Sequence, residues 1–410
     1  MKYTAILLFL CLAGANIFAQ NANLSHLERD FNRLDATFAE RLTILEVVRD
    51  SGLTGIGDFY HNALGILLQR LPDVSTNADR HATEASARIL AQGLGAERHT
   101  AAAPDLWRTV QAFDIALAHN DGLVMHDALT ALGQVDGRDF IPHIAQLLTD
   151  LNTQAQRVSD AETRRRMQRA VIGAVSALEA FRDLAGFRPV FFVSIGPYDP
   201  AIQNMASIAL PNIVDDPGDI ITVIIRDPSI PPSVKYHAWR ELLRSNAPGE
   251  SRARVAAAAL ATSWTYATNN PVQQRDLRSM RVSAIDTIRA LGVTDDSVYA
   301  DLERTYRSNF VSATPDYDEI RRTLACLSAS GSDLAVDLLL SFLRELHERR
   351  RAGPWGNRER QIFGWVISSL GATGTQSQEA RFLLGMIERS NDYTGAEQAW
   401  ARNALQMLGN

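Results

Sequence analysis

Lysine is almost missing from this 410-residue sequence: of 41 basic residues, only Lys2 and Lys235 are lysines and the other 39 are arginines. Cysteine is as scarce, with Cys11 and Cys326 alone. Aromatics make up 7%, and the 25 glycines and 15 prolines are far too few for a collagen-like or low-complexity chain. A hydrophobic content of 46% excludes a disordered polymer. No strong excess of one charge sign exists either. The 47 acidic residues leave a net charge of −6, which implies no general attraction to nucleic acid or anionic lipid.

The familiar signatures of chemistry are absent too. There is no Gly-x-x-x-x-Gly-Lys-Ser/Thr loop, no Gly-x-Gly-x-x-Gly, no Cys-x-x-Cys and no Gly-x-Ser-x-Gly. Gly52-Leu53-Thr54-Gly55-Ile56-Gly57 fits neither nucleotide pattern and reads as a loop between helices. His347-Glu348-Arg349-Arg350-Arg351 begins like a zinc-protease helix but lacks the second histidine four residues on, and with it the metal geometry.

What is present begins with a compartment signal. Met1 and Lys2 precede an apolar run from Ala5 to Ala15, and Ile17-Phe18-Ala19 offers a cleavage site, so residues 1–19 read as a secretory signal peptide. The run is short for a membrane span, and no later stretch reaches the roughly 18 to 20 uncharged residues one needs. Leu8-Phe9-Leu10 before Cys11 lacks the small residues of a lipoprotein site. Cleavage would leave Cys326 as the only thiol, so no intrachain disulfide forms and stability rests on packing. The arginine bias reads first as a GC-rich coding sequence, and chemically as a capacity for bidentate pairing with carboxylates or phosphates.

Helical periodicity runs through the rest. Ser25 to Glu28 has capping-box spacing, and Leu27, Phe31, Leu34, Phe38, Leu42, Leu45 and Val48 predict one amphipathic helix from Leu24 to Asp50. Met167 to Phe181 and Val282 to Leu291 repeat the pattern. Between Pro189 and Pro232 lie eight prolines. Asp199-Pro200 and Asp216-Pro217 read as helix starts, because aspartate can cap and proline at the first position forfeits a donor that would be unpaired anyway. Helices are expected at Pro200–Val214 and Pro231–Ser245, with Ile220–Ile225 a short helix buried nearly all round. Phe187–Tyr198 stays undetermined between helix, strand and loop.

The strongest organisational signal is repetition. In Ala131 to Leu148 a helix ends on Leu132-Gly133, a turn carries Asp136, and a new helix begins at Ile141-Pro142 with Leu147-Leu148 one turn on. Comparable helix-end leucines from Leu132 to Leu408 recur about every 39 residues, at the lower edge of the helical-repeat range. The 131–148 junction resembles that of HEAT-type repeats. The resemblance implies an all-α fold, an α-solenoid of stacked antiparallel helix pairs (HEAT/armadillo-like) over 104–410, after an N-terminal helical region at 20–103. It implies binding of other macromolecules along an extended surface, with no enzymatic activity and no cofactor.

The candidate sites follow from charge and aromaticity. His119, His126, Asp127 and His143 are the best metal cluster in sequence, although surface or capping roles are the expectation and no metal is assigned. Cys326, beside Leu324 and Leu327, reads as a small buried hydrophobe. Arg164-Arg165-Arg166 with Arg169, and Arg349-Arg350-Arg351 with Arg358 and Arg360, concentrate positive charge. Trp355, in a Gly-Pro-Trp-Gly loop, would present an aromatic beside the second cluster. Phe187, Phe191, Phe192 and Tyr198 form an interaction patch if exposed and a repeat junction if buried. The reading is a periplasmic protein-binding scaffold whose partner is a protein of the cell envelope, with no nucleic acid and no integral membrane segment after signal cleavage. The competing class is an envelope hydrolase or metal-dependent lyase on a helical fold.

Overall fold

The computed structural model describes residues 24–116, 120–292, 296–312, 314–353 and 355–409; the signal segment, His119 and Pro354 lie outside them. The described residues are helical with short turns and contain no strand. The chain divides into two units, Met1–Asp215 and Asp216–Asn410. The first holds α1 (24–31), α2 (Phe38–Asp50), α3 (Gly57–Arg70), α4 (Asn77–Glu97), α5 (Ala103–Ala112), α6 (Leu123–Gln134), α7 (Ile141–Ala155), α8 (Ala161–Phe181), α9 (Phe187–Ile195) and α10 (Pro200–Ile213). The second holds α11 (Gly218–Arg226), α12 (Pro232–Arg244), α13 (Gly249–Thr265), α14 (Pro271–Leu291), α15 (Ser297–Val311), α16 (Tyr317–Ser330), α17 (Asp333–Ala352), α18 (Asn357–Ala372), α19 (Gln378–Arg389) and α20 (Gly395–Gly409).

Each unit is a two-layer stack. In the first, α2, α4, α6, α8 and α10 pack side by side in succession, while α3 packs on α5 and α7 on α9. In the second, α12, α14, α16, α18 and α20 form one layer and α11, α13, α15 and α17 the other. Short connections between neighbours of opposite layers make this an all-α solenoid arrangement, in which every helix pair covers its apolar face with the next pair. The division expected at 103/104 is not a packing boundary. Helix α3 packs on α5 and α4 on α6 across it, so the stack continues to Asp215.

Small residues set how closely the layers approach. A Cβ at Gly133 of α6 would sit 2.9 Å from the Ala177 backbone of α8, and one at Gly173 of α8 would sit 2.7 Å from the His126 carbonyl. Neither tolerates a side chain. The expected repeat junction is a turn from Gln134 to Ile141, with Asp136 in the left-handed region at φ 57°.

Two stretches differ from expectation. The single helix over 24–50 is broken at 32–37, where Leu34 is 93% exposed instead of lying on an apolar seam. Arg41, buried in α2, sends its guanidinium back to the carbonyls of Phe31 (3.0 Å) and Arg33 (2.8 Å), closing the end of α1. The capping box is formed by Thr37 and Glu40. Helix α11 buries Ile221, Ile224 and Ile225 but exposes Val223 by 56%, so it is one-sided and not buried all round. The helices at Pro200–Ile213 and Pro232–Arg244 agree with the proline reading, although Asp199 makes no side-chain cap. Asp216 stands one residue before the N-cap Pro217 and accepts from the Gly218 amide at 3.0 Å.

Candidate partner-binding site

Eight of the arginine ion pairs among the described residues bridge alternate helices. Arg88 of α4 reaches Asp127 of α6 (2.8 Å), Arg281 of α14 reaches Glu319 of α16 (2.8 Å), and Arg360 of α18 reaches Glu397 of α20 (3.2 Å). All three carboxylates are buried, at 7%, 1% and 0% exposure. The partners stand 39, 38 and 37 positions apart, so each rung follows the sequence repeat. Arg254–Asp219, Arg307–Glu345 and Arg344–Glu379 bridge the other layer of the second unit, and Arg278–Asp316 and Arg322–Asp286 add to the α14–α16 pair. Burial alone would raise the Asp127 carboxyl, but the His126 ring and the Arg88 guanidinium hold it below its ordinary value.

The most complete setting surrounds Trp264. Its indole N–H donates to Thr305 at 2.8 Å, and its ring lies 4.2 Å under the Arg281 guanidinium, which is itself paired with Glu319. Asn309 donates to the second oxygen of Glu319 at 2.7 Å. Trp264, Arg281, Glu319 and Asn309 line a cavity of about 600 Å³ together with Tyr266 and Arg275.

The 349–358 cluster is built differently. Arg349, near the end of α17, pairs with Glu345 at 3.1 Å and lies over the Phe310 ring at 4.5 Å. Glu345 also serves Arg307. Arg358 donates to the Phe310 carbonyl and stands 6.0 Å from the same ring. Arg350 lies over Trp355 at 5.7 Å, and Arg351 is exposed. Trp355 is not presented to solvent as the sequence reading expected. It folds back on Phe363 (4.7 Å) and Tyr393 (6.3 Å), because an apolar ring on a short loop gains most by covering the α18 face. Burial raises the Tyr393 hydroxyl to about 12, and its oxygen is 2.5 Å from His347 Nδ1. Arg350 Nε, Trp355 Nε1 and Arg358 Nε are buried yet find no acceptor among the described residues.

Arg164 donates to the Val158 carbonyl (3.0 Å), Arg165 pairs with Glu162 (3.2 Å) and Arg169 holds Asp121 (3.0 Å), so that cluster is matched locally. Phe191 is 0% and Tyr198 7% exposed, which removes both from any binding surface. Phe187–Ile195 is a helix whose aromatics pack inward, and the Tyr198 hydroxyl donates to Asn152 at 2.8 Å. This region is a repeat junction. His126 binds Asp127 (2.8 Å), whereas His143 packs on Trp107 and Phe140, so the two do not converge. Cys326 is 1% exposed, and burial pushes its thiol up to about 12.

The Trp264 setting, the rungs and a pair of tryptophans on α18 and α20 were not singled out in sequence. An Arg-to-acid spacing of 37–39 residues is the signal that marks the rungs.

No family model and no curated protein matches the chain. Among solved structures it is similar to a chain from work on a phosphorylation switch controlling the interaction between cadherin and beta-catenin, at 11% identity, 94% coverage of each chain and a TM-score of 0.33. It is also similar to an engineered protein at 13% identity, covering 94% of this chain and 98% of that one, with a TM-score of 0.32. The fold assignment rests on the helix packing described above, not on these likenesses. Among the described residues, no helix is long and apolar enough to cross a membrane.

Proposed function

We propose that the chain is a non-enzymatic scaffold, exported to a bacterial periplasm, that holds an acidic segment of a protein partner on Arg349, Arg350, Arg351 and Arg358. The observation that carries this reading is the gathering of four arginines of which, among the described residues, only Arg349 has an acid in an ion pair, with Arg351 exposed beside them. Guanidinium groups short of acid partners favour a carboxylate-bearing ligand, because charge-assisted hydrogen bonds to it are the strong ones. Trp355 backs Arg350 in this arrangement and does not itself reach out. The secretory signal in residues 1–19 supplies the compartment.

Amine-directed crosslinkers suit this chain poorly, because after cleavage its one lysine is Lys235, which is 1% exposed. The test is therefore a photo-crosslinking residue at position 351 in the native cell, with the captured peptide identified by mass spectrometry. Capture of one partner through a segment rich in Asp and Glu, lost in Arg349→Glu/Arg350→Glu at unchanged fold, is the expected result. Equal capture by the double variant, or capture through a basic or apolar segment, overturns the proposal. A turnover assay that finds catalysis in the purified chain returns it to the enzyme class.

A further inference from the structure

Of the tryptophans with described settings, Trp239 and Trp264 give their indole N–H to Ser283 and Thr305. Trp365 of α18 and Trp400 of α20 give theirs to nothing among the described residues, and neither nitrogen is buried. The two half-buried rings line one groove of about 500 Å³, within the usual range of small-ligand clefts.

The floor of the groove is Gly364. A Cβ there would meet Cζ3, Cε3 and Cη2 of Trp400 at 3.1, 3.2 and 3.3 Å. Near-equal distances to three consecutive ring carbons mean that the six-membered ring lies face-on over α18, close enough that a side chain at 364 would push it outward by a few tenths of an ångström. Trp365 is steadied by Tyr317, edge-on at 6.0 Å and 78°. Asn357, Gln361 and Ser368 share one face of α18 by helical spacing and line the same groove with donors and acceptors. Arg360 lines it as well, but its charge is balanced by Glu397, which is 0% exposed.

The groove thus combines flat aromatic carbon, amide and hydroxyl groups, and no uncompensated charge. A pyranose ring has the matching chemistry: a C–H face to set on an indole and a rim of hydroxyls for amides and for the free edge of a guanidinium. An acidic peptide would find no free cation here. A proline-rich peptide wants indoles standing as slot walls, whereas Trp400 lies flat on the helix. We infer that the Trp365–Trp400 groove binds a neutral oligosaccharide, with a ring stacked on an indole and its hydroxyls held by Asn357, Gln361 and Arg360.

The test is titration of the purified full chain with chitohexaose, cellohexaose and maltohexaose, and with decaproline, followed by tryptophan fluorescence and calorimetry. At least one hexasaccharide is expected to bind saturably with a blue-shifted, quenched emission. Trp365→Ala should weaken that binding tenfold or more at unchanged circular dichroism. Should Trp365→Ala misfold, the double variant Asn357→Ala/Gln361→Ala, at exposed positions, should weaken it several-fold. Failure of all three sugars to saturate, tighter binding of decaproline, or full affinity in a folded Trp365→Ala chain overturns the inference.

Discussion

Trp264 and Trp355 both stand beside arginines in the second unit, yet the polar groups around them are matched to very different degrees. Around Trp264 the indole N–H has Thr305, Arg281 has Glu319, and Glu319 has Asn309 as a second donor. Around Trp355 the indole nitrogen and two guanidinium nitrogens are buried without acceptors. A closed network is costly to open, because removing one member strands the rest in a low-dielectric interior. An open one leaves guanidinium charge that an outside carboxylate can meet at its exposed edge. The same two residue types therefore do structural work in one place and are proposed to bind in the other.

The sharpest way to break this contrast is Arg281→Ala. It leaves Glu319 buried without its counter-charge, held only by Asn309, so a loss of about 3 kcal/mol is expected, read as a fall of roughly 10 °C in thermal midpoint. Replacing both partners, as Arg281→Met/Glu319→Leu, should recover most of it; an equally unstable double variant would show that the pair is not the cause. At the other site Arg349→Glu/Arg350→Glu should lower affinity for the partner tenfold or more, about 1.4 kcal/mol, while the loss of the two half-buried cation–aromatic contacts shifts stability by about 1 kcal/mol. A large drop in midpoint would make that cluster structural as well. Trp264→Phe keeps the ring but forfeits the bond to Thr305, with an expected cost of about 1 kcal/mol in denaturant titration. Arg344→Ala, which removes a rung whose two side chains are 46% and 51% exposed, should cost about 0.5 kcal/mol.

The smallest effect expected is on acid titration. His347 is held below its ordinary value by burial first and by the Arg351 charge next, against the opposing charges of Asp392 and Glu348, and Tyr393 bonds its ring. Because the unfolded chain takes up that proton first, the contribution is whole above about pH 6.5 and is lost as pH falls towards the folded value. The midpoint should decline between pH 7 and pH 5, less steeply in His347→Gln. A midpoint independent of pH over that range would refute the assignment.

Sequence patterning carried the helical content and the repeat spacing because both are local. Leucines before glycines, and prolines after aspartates, act within a turn or two of chain. It missed the break at 32–37, since the periodicity through Leu34 is satisfied whether or not the helix is continuous. What decides the break is Arg41 capping carbonyls eight and ten residues upstream. The aromatic stretch at 187–198 could not be placed from sequence, because burial depends on which neighbours cover it. Arg349, Arg350 and Arg351 were legible as a charge run, but the missing acceptors were not, since Glu345 and Glu359 lie close in sequence and only geometry shows them engaged with Arg307 and with the Gly356 amide. Trp365 and Trp400 are 35 residues apart and line one groove only because α18 packs on α20.

The near-absence of lysine has a consequence for alkaline media. An ion pair built on an ammonium group disappears as that group deprotonates near pH 10, whereas a guanidinium keeps its proton past pH 12. Every inter-helix rung described here has arginine as its cation. Their lower limit is set by carboxylates and their upper limit by guanidinium groups, so the ion pairs between helices outlast in base any that an ammonium group would make.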